Sequence, residues 1–548
     1  MQVKAPLSIA GVLMGTVFFV FSLTPSLLPR PFSLQGVVSG VSFAVGYGLA
    51  VAASALWRFL QLPLPAERKG RMIRNLVSLF CVVMVVGSLW HAANWQDSVR
   101  KLMGMEGSSG VQPILLTVIA ALVFLLTLGL GRLFRWVFHG LALRLDRHVP
   151  PRVSRLLAVA ASLLLFWTAI NGVLVQFMLK TADRSFQQLD GLIDDELPRP
   201  VHADQTGSTA SLINWEDLGR QGRKFVATGP SAEDLSSFFG ASCPRPIRVY
   251  VGLNSAQDAS QRARLALEEL TRAGGFKRSV LLLVTPTGTG WVDPAAQDTV
   301  EYLHRGDIAT VVVQYSYLNS PLALMTEAAY GAEMARALFN EIYTYWRSLP
   351  VDSRPRLYLH GLSLGSINSD LSFDFFDIID DPFHGALWSG PPFRHDTWRR
   401  VTAERDPGSP FWLPQFRNGS VVRFMIQGKG PEKGTAEWGR FRIVFLQYAS
   451  DPITFFSPRT AWRAPDWMRP PRGPDVSPKL RWFPVVTMLQ LAADMVVGTA
   501  PKGFGHEYAA AHYIDAWMAL TEPEGWSGLE LARLRALFEE HESSTGSN

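Results

Sequence analysis

Apolar residues crowd the first third of the chain, and a regular alternation of strand and helix patterns follows. Leu7–Pro29, Pro31–Trp57, Asn75–Gln96, Val111–Gly131 and Leu156–Leu179 each run without an Asp, Glu, Lys or Arg. A helix crosses the hydrocarbon of a bilayer with roughly 20 apolar residues, so each segment predicts a transmembrane span. The first is long for a signal peptide, lacks a small-residue cleavage site and precedes further spans, which predicts an anchor that stays in place. From Lys180 the sequence turns polar, Pro-rich and charged. Residues 181–242 keep no sustained period and read as linker plus peripheral helices. Beyond Pro246, strands are expected at Ile247–Gly252, Val280–Thr285, Ile308–Tyr315, Arg354–His360 and Arg442–Tyr448. Helices are expected at Gln257–Ala273, Asp293–His304, Glu327–Arg347 and Ser366–Ile379. Such alternation implies right-handed crossovers and a mainly parallel sheet flanked by helices. The expected division is a five-helix transmembrane domain at 1–179, a linker and peripheral helices at 180–245, an α/β domain at 246–537 and a flexible tail at 538–548. An aromatic and Pro-rich insertion occupies 452–503 of the α/β domain.

Charge orients the spans, because Lys and Arg accumulate in cytoplasmic loops. Arg68, Lys69, Arg71 and Arg74 lie between the second and third spans, and Arg132, Arg135, Arg144, Arg147, Arg152 and Arg155 between the fourth and fifth. The first connection holds only Arg30, and the third balances Arg100 and Lys101 with Asp97 and Glu106. The N-terminus is therefore expected in the cytoplasm and everything after Leu179 outside it. These loops account for most of the net charge of +5, so it carries no nucleic-acid signal. Cys81 lies in a span and Cys243 stands alone in the polar part, which leaves no intrachain disulfide to expect.

Chemistry concentrates at Gly361-Leu362-Ser363-Leu364-Gly365, which falls where the strand pattern gives way to a helix pattern. A sharp strand-to-helix turn holds a nucleophile in strained backbone and needs glycine two residues to either side. A serine hydroxyl is a poor nucleophile without an imidazole to take its proton and a carboxylate to hold that imidazole. In the α/β-hydrolase arrangement the order along the chain is Ser, acid, His. His506, in a Gly-rich loop, is the favoured base over His512, inside a helix, and His541, in the tail. Asp451 follows the strand Arg442–Tyr448 and is the favoured acid, ahead of Asp466 and Asp475 in a Pro-rich stretch without a preceding strand. Oxyanion donors are expected from the backbone of Leu364 and from the Gly288–Gly290 stretch of the loop Thr285–Trp291, with Thr289 favoured and Gly288 beside it.

The chain resembles the bacterial α/β-hydrolase family in which a multi-span N-terminal domain precedes a serine-hydrolase catalytic domain. The likeness covers almost its whole length and is most specific at His360-Gly361-Leu362-Ser363-Leu364-Gly365-Ser366 and Trp388-Ser389-Gly390-Pro391-Pro392. It implies an α-helical transmembrane bundle followed by an α/β-hydrolase domain with esterase-type chemistry. One departure from the usual pattern is that Phe483–Val497, ahead of His506, reads as helix where a final strand is customary.

Two further features complete the picture. Asp370, Asp374, Asp377 and Asp381 recur at helical spacing, which reads as a solvated acidic face, since a hard cation needs converging oxygens; no metal and no cofactor is expected. Between Asp451 and His506, Phe455, Phe456, Trp462, Trp467, Trp482 and Phe483 sit among prolines and arginines. Trp beside Arg suits a lipid headgroup boundary, and packing as an irregular cap on the sheet is the equal alternative. The expectation is a membrane-anchored serine hydrolase or acyltransferase of the bacterial plasma membrane acting on an acyl ester, with a lipid-like ester favoured. A serine peptidase, or a catalytically idle membrane protein with a transport or assembly role, is the alternative. Against transport, the spans hold no Asp, Glu, Lys or Arg, and only His91 interrupts the third, near its end.

Overall fold

The computed structural model describes residues 7–63, 67–107, 112–169, 171, 190, 197–318, 328–428, 436–497 and 500–545. Contacts divide the chain into two compact units, one of Met1–Met178 with Phe456–Pro501, the other of Leu179–Phe455 with Lys502–Asn548. The aromatic insertion thus groups with the N-terminal helices, although the sequence lodges it inside the catalytic domain.

The first unit holds α1 (Ile9–Ser22), α2 (Phe32–Phe59), α3 (Glu67–Arg100), α4 (Pro113–Leu145) and α5 (Pro151–Trp167). Three stretches, Phe32–Phe59, Arg71–Met103 and Pro113–Leu145, are helical, long and apolar enough to cross a membrane. Their apolar side chains point outward: Leu79, Val82, Val83 and Val86 on α3 and Leu122, Leu125, Leu126 and Leu130 on α4 are exposed, the reverse of a water-soluble bundle. On α2, Gly36 and Gly40 lie against α4 so closely that a Cβ would meet the Leu116 and Ala120 carbonyls, the small-residue packing that membrane helices use.

Two expected spans differ. The first ends at Ser22, shorter than a bilayer crossing, because Pro25 cannot continue the helix and disfavours helical backbone at Thr24. Most of Leu156–Leu179 beyond α5 lies outside the described residues. After Ser22 the chain runs through buried Leu23, Leu27 and Leu28 to Arg30, whose Nε lies 2.9 Å from Asp494 Oδ1 with both side chains fully buried. Asp494 belongs to the helix Val486–Val497, in the segment sequence reading placed with the catalytic domain. Its Oδ2 accepts from the Leu27 and Leu28 amides at 3.2 and 3.4 Å, while Gln490 Nε2 donates to the Ser22 and Thr24 carbonyls. Phe483 stacks on Phe21 at 3.9 Å, and Trp482 Nε1 donates to the Thr460 carbonyl. Trp467 is buried and Trp462 is exposed, so the aromatics do not face outward as a set.

The second unit carries a seven-stranded parallel sheet ordered β1-β3-β2-β4-β5-β7-β6. Its strands are β1 (Ile247–Val251), β2 (Val280–Thr285), β3 (Ile308–Val313), β4 (Arg356–Leu362), β5 (Gly385–Ser389), β6 (Val422–Met425) and β7 (Arg442–Leu446). Residues of β2, β3 and β5 are buried almost without exception, as expected for apolar strands covered on both faces by helices. Ala259–Arg272 pairs with Ala328–Ser348, and Pro294–Leu303 with Ala510–Thr521. β4 lies between β2 and β5, so the loops after these strands open from one edge, the place where open α/β sheets bind ligands.

The helix after Ser363 stops at Asp370 and a short one restarts at Phe375 with Asp374 as its cap, which breaks the acidic stripe. Asp370 accepts from Thr397 Oγ1 and Asp381 pairs with Arg354, so these carboxylates serve separate contacts. The expected flexible tail is helical from Gly528 to Thr545, because Leu534 and Phe538 bury and Glu542 accepts from the Ala510 amide at 2.9 Å.

Candidate active site

Ser363 ends β4 and opens the helix Leu364–Asp370 with φ 55° and ψ −124°, a conformation a residue with a Cβ seldom adopts. The flanking glycines make the turn possible. A Cβ on Gly361 would collide with the Gly365 carbonyl, and one on Gly365 with the Thr285 carbonyl. The Ser363 amide donates to the Ser389 carbonyl at 2.9 Å, and the Ser366 hydroxyl donates to the Ser363 carbonyl at 2.6 Å. Leu364 is the first residue of its helix, so its N–H has no intrahelical acceptor.

Asp451 follows β7 by a short turn and is fully buried. Its Oδ1 accepts from the Ile453 amide at 2.8 Å; Oδ2 accepts from the Thr454 hydroxyl at 3.1 Å and the Tyr508 hydroxyl at 2.9 Å. His506 Nδ1 lies 2.7 Å from the same Oδ2. The loop is pinned by the Gly505 amide donating to Ser450 Oγ at 2.9 Å and by a bridge between Phe504 and Glu507. With Nδ1 donating to the carboxylate, a neutral His506 presents Nε2 as an acceptor. That nitrogen is buried with no hydrogen-bond partner among the described residues. Burial disfavours the imidazolium, but the Asp451 carboxylate outweighs it and holds the His506 pKa above its ordinary value.

Ser389 and Gly390 connect the two halves of the site. Ser389 holds the Ser363 amide, and Gly390, at φ 51°, packs on the His506 ring so that a Cβ would lie 2.5 Å from Cε1. The structure therefore brings Ser363, Asp451 and His506 to one cluster of strand-end loops. No hydrogen bond joins Ser363 Oγ to His506 Nε2, a contact that commonly tightens only when substrate binds.

The Thr287–Trp291 loop is a closed turn: the Gly290 amide donates to the Thr287 carbonyl and the Thr287 amide to the Trp291 carbonyl. Gly288 and Thr289 form its corner, with the Thr289 carbonyl accepting from Gln314 Nε2 at 3.3 Å and the Gly290 carbonyl from the Tyr250 hydroxyl at 2.8 Å. Its root touches the elbow, since Thr285 is the neighbour that Gly365 must avoid. The other candidates are placed elsewhere. His512 Nδ1 meets the Tyr448 hydroxyl at 2.5 Å, and Asp466 and Asp475 fall in the segment grouped with the N-terminal helices. Sequence reasoning missed Tyr508, two residues past His506, and the contact of Gly390, although that glycine stood in a quoted motif.

Residues 247–534 match the model of the Alpha/beta-hydrolase family, and residues 23–230 match the model of the Alpha/beta-hydrolase family N-terminus. No curated protein and no solved structure matches the chain.

Proposed function

We propose that this chain, which belongs to the Alpha/beta-hydrolase family, is a membrane-anchored serine hydrolase that cleaves or transfers an acyl ester. Ser363 Oγ attacks the ester carbonyl while His506 Nε2 takes its proton, and Asp451 stabilises the imidazolium that forms. The Leu364 amide, with Thr289 and Gly288 as the second source of donors, faces the negative charge on the tetrahedral oxygen. Collapse expels the alcohol, which receives the proton from His506 and leaves an acyl group on Ser363. Water then releases the acid, or an acceptor hydroxyl takes the acyl group, by the same proton shuttle in reverse. A lipid or lipid-like ester is the favoured substrate, because anchoring confines the site to the neighbourhood of a bilayer.

The observation that carries this reading is the Asp451–His506 contact at 2.7 Å, with Nε2 left open in the loop cluster that holds the strained Ser363 turn. A fluorophosphonate probe should label purified wild-type protein, and Ser363→Ala should lose both labelling and ester turnover while staying folded. An unlabelled wild type would favour the idle alternative. The reading also puts the protein in the plasma membrane of a bacterium with the catalytic domain outside, on the strength of the basic loops after α2 and α4. A C-terminal alkaline phosphatase fusion should accordingly be active.

A further inference from the structure

The end of α3 carries a second candidate site. His91, Asn94, Trp95 and Ser98 recur three and four residues apart, so they share one face of the helix, and Lys101 continues that face into the turn Lys101–Met103. With Asp97 and Lys479 they line a cavity of about 350 Å³. Its far wall is the Pro-rich segment, held in place where Ser477 Oγ lies 3.0 Å from Ser98 Oγ; the Lys479 amide donates to the same Ser477 hydroxyl at 3.3 Å. Within the apolar helices of this unit, such a concentration of polar side chains around a hollow calls for a ligand that is itself polar.

Depth and charge say which ligand. N-terminal to the cavity, Leu76, Leu79, Phe80, Val82, Val83 and Val86 form the exposed apolar belt of α3. That belt ends at Trp90, whose side chain is 81% exposed immediately before His91. Tryptophan prefers the level of the lipid headgroups, where an apolar ring and a polar N–H are both satisfied, so the cavity opens at headgroup depth. Two ammonium groups and one carboxylate line it. Lys502 is the one lysine in an ion pair among the described residues, so Lys101 and Lys479 are both available to an anion. The anion a bilayer presents at that depth is the lipid phosphate.

We propose that this cavity binds the phosphodiester headgroup of a phospholipid, with Lys101 and Lys479 on the phosphate oxygens, Asn94 and His91 as further polar partners and Trp95 as an apolar wall. The site is separate from the Ser363 chemistry and does not depend on it.

Full-length protein, delipidated in nonionic detergent, would be titrated with phosphatidylglycerol, with diacylglycerol of the same chains and with inorganic phosphate, and binding read by native mass spectrometry. The wild type should hold phosphatidylglycerol and not diacylglycerol. Lys101→Ala/Lys479→Ala should weaken that binding roughly 30-fold, at about one lysine–phosphate attraction for each ammonium removed. Lys101→Arg/Lys479→Arg should keep it. Both lysines are exposed, so neither pair of substitutions disturbs the fold. Unchanged phosphatidylglycerol binding in the alanine variant, or equal binding of diacylglycerol, would overturn the proposal. Displacement of the lipid by an equal concentration of inorganic phosphate would assign the cavity to a soluble phosphate ester and overturn the lipid.

Discussion

Tyr508 and His506, two residues apart in one loop, grip the same carboxylate oxygen: the Tyr508 hydroxyl at 2.9 Å and His506 Nδ1 at 2.7 Å from Asp451 Oδ2. Burial, reinforced by the Asp451 charge, raises the Tyr508 phenol well above its ordinary value, so it stays a donor. With the Ile453 amide and the Thr454 hydroxyl it keeps a fully buried carboxylate supplied with hydrogen bonds, without which the charge would be costly.

The pH dependence of turnover follows from this arrangement. His506 must be neutral to accept the Ser363 proton, so activity should rise with pH through its pKa and then level off. Because Asp451 raises that pKa, the half-rise should fall above 6.5. Asp451→Asn should move the half-rise downward, since burial is then opposed only by the weaker pull of Glu507 and Asp293, and reduce kcat by roughly 10⁴-fold. A pH–rate series on both proteins checks the direction and the size.

Gly390→Ala should disable the site with little effect on folding elsewhere. The new methyl group would stand 2.5 Å from His506 Cε1 and the backbone at φ 51° would be strained, so the imidazole must move. Displacement by about 1 Å costs roughly 100-fold in rate. The fluorophosphonate labelling rate, compared with the circular dichroism of the same sample, measures this.

The two tryptophans of the Pro-rich segment should separate. Trp467 is 3% exposed, and Trp467→Ala should cost about 3–5 kcal/mol of stability. Trp462 is 68% exposed, so Trp462→Ala should change stability by no more than about 0.5 kcal/mol. Thermal unfolding in detergent distinguishes the two variants directly.

Arg30 and Asp494 should behave as a pair. Asp494→Leu leaves a buried guanidinium without its counter-charge and should cost about 3–5 kcal/mol, whereas Arg30→Met/Asp494→Leu should recover most of the loss. Unfolding of the single and double variants gives the coupling energy.

The sheet was legible because its strands are short apolar runs between clear helix patterns, and β2 falls on the very residues expected of it. Two strands were not legible: β5, Gly385–Ser389, is a five-residue run without the polar alternation that marks a strand, and β6, Val422–Met425, at the edge, is only four residues long and offers no period to read. Asp451, His506 and Ser363 could be named from chain order and from strand-end positions, since those places are fixed by local pattern. Tyr508 and Gly390 could not, because their roles are contacts made across the fold. The docking of Phe456–Pro501 on the N-terminal helices escaped for the same reason, as no local pattern announces that Asp494 will meet Arg30. The tail misled because its charged residues mask the Leu534 and Phe538 face.

The Arg30–Asp494 pair also sets an order of events in biogenesis. Arg30 leaves the ribosome long before Asp494, because its counter-charge is made only after the whole stretch bearing Ser363 and Asp451. Until then the N-terminal helices carry a cation with no buried partner, so the bundle cannot close around it. A chain that terminates anywhere before Asp494 keeps that defect permanently, while a full-length chain conceals the charge as the helix Val486–Val497 docks.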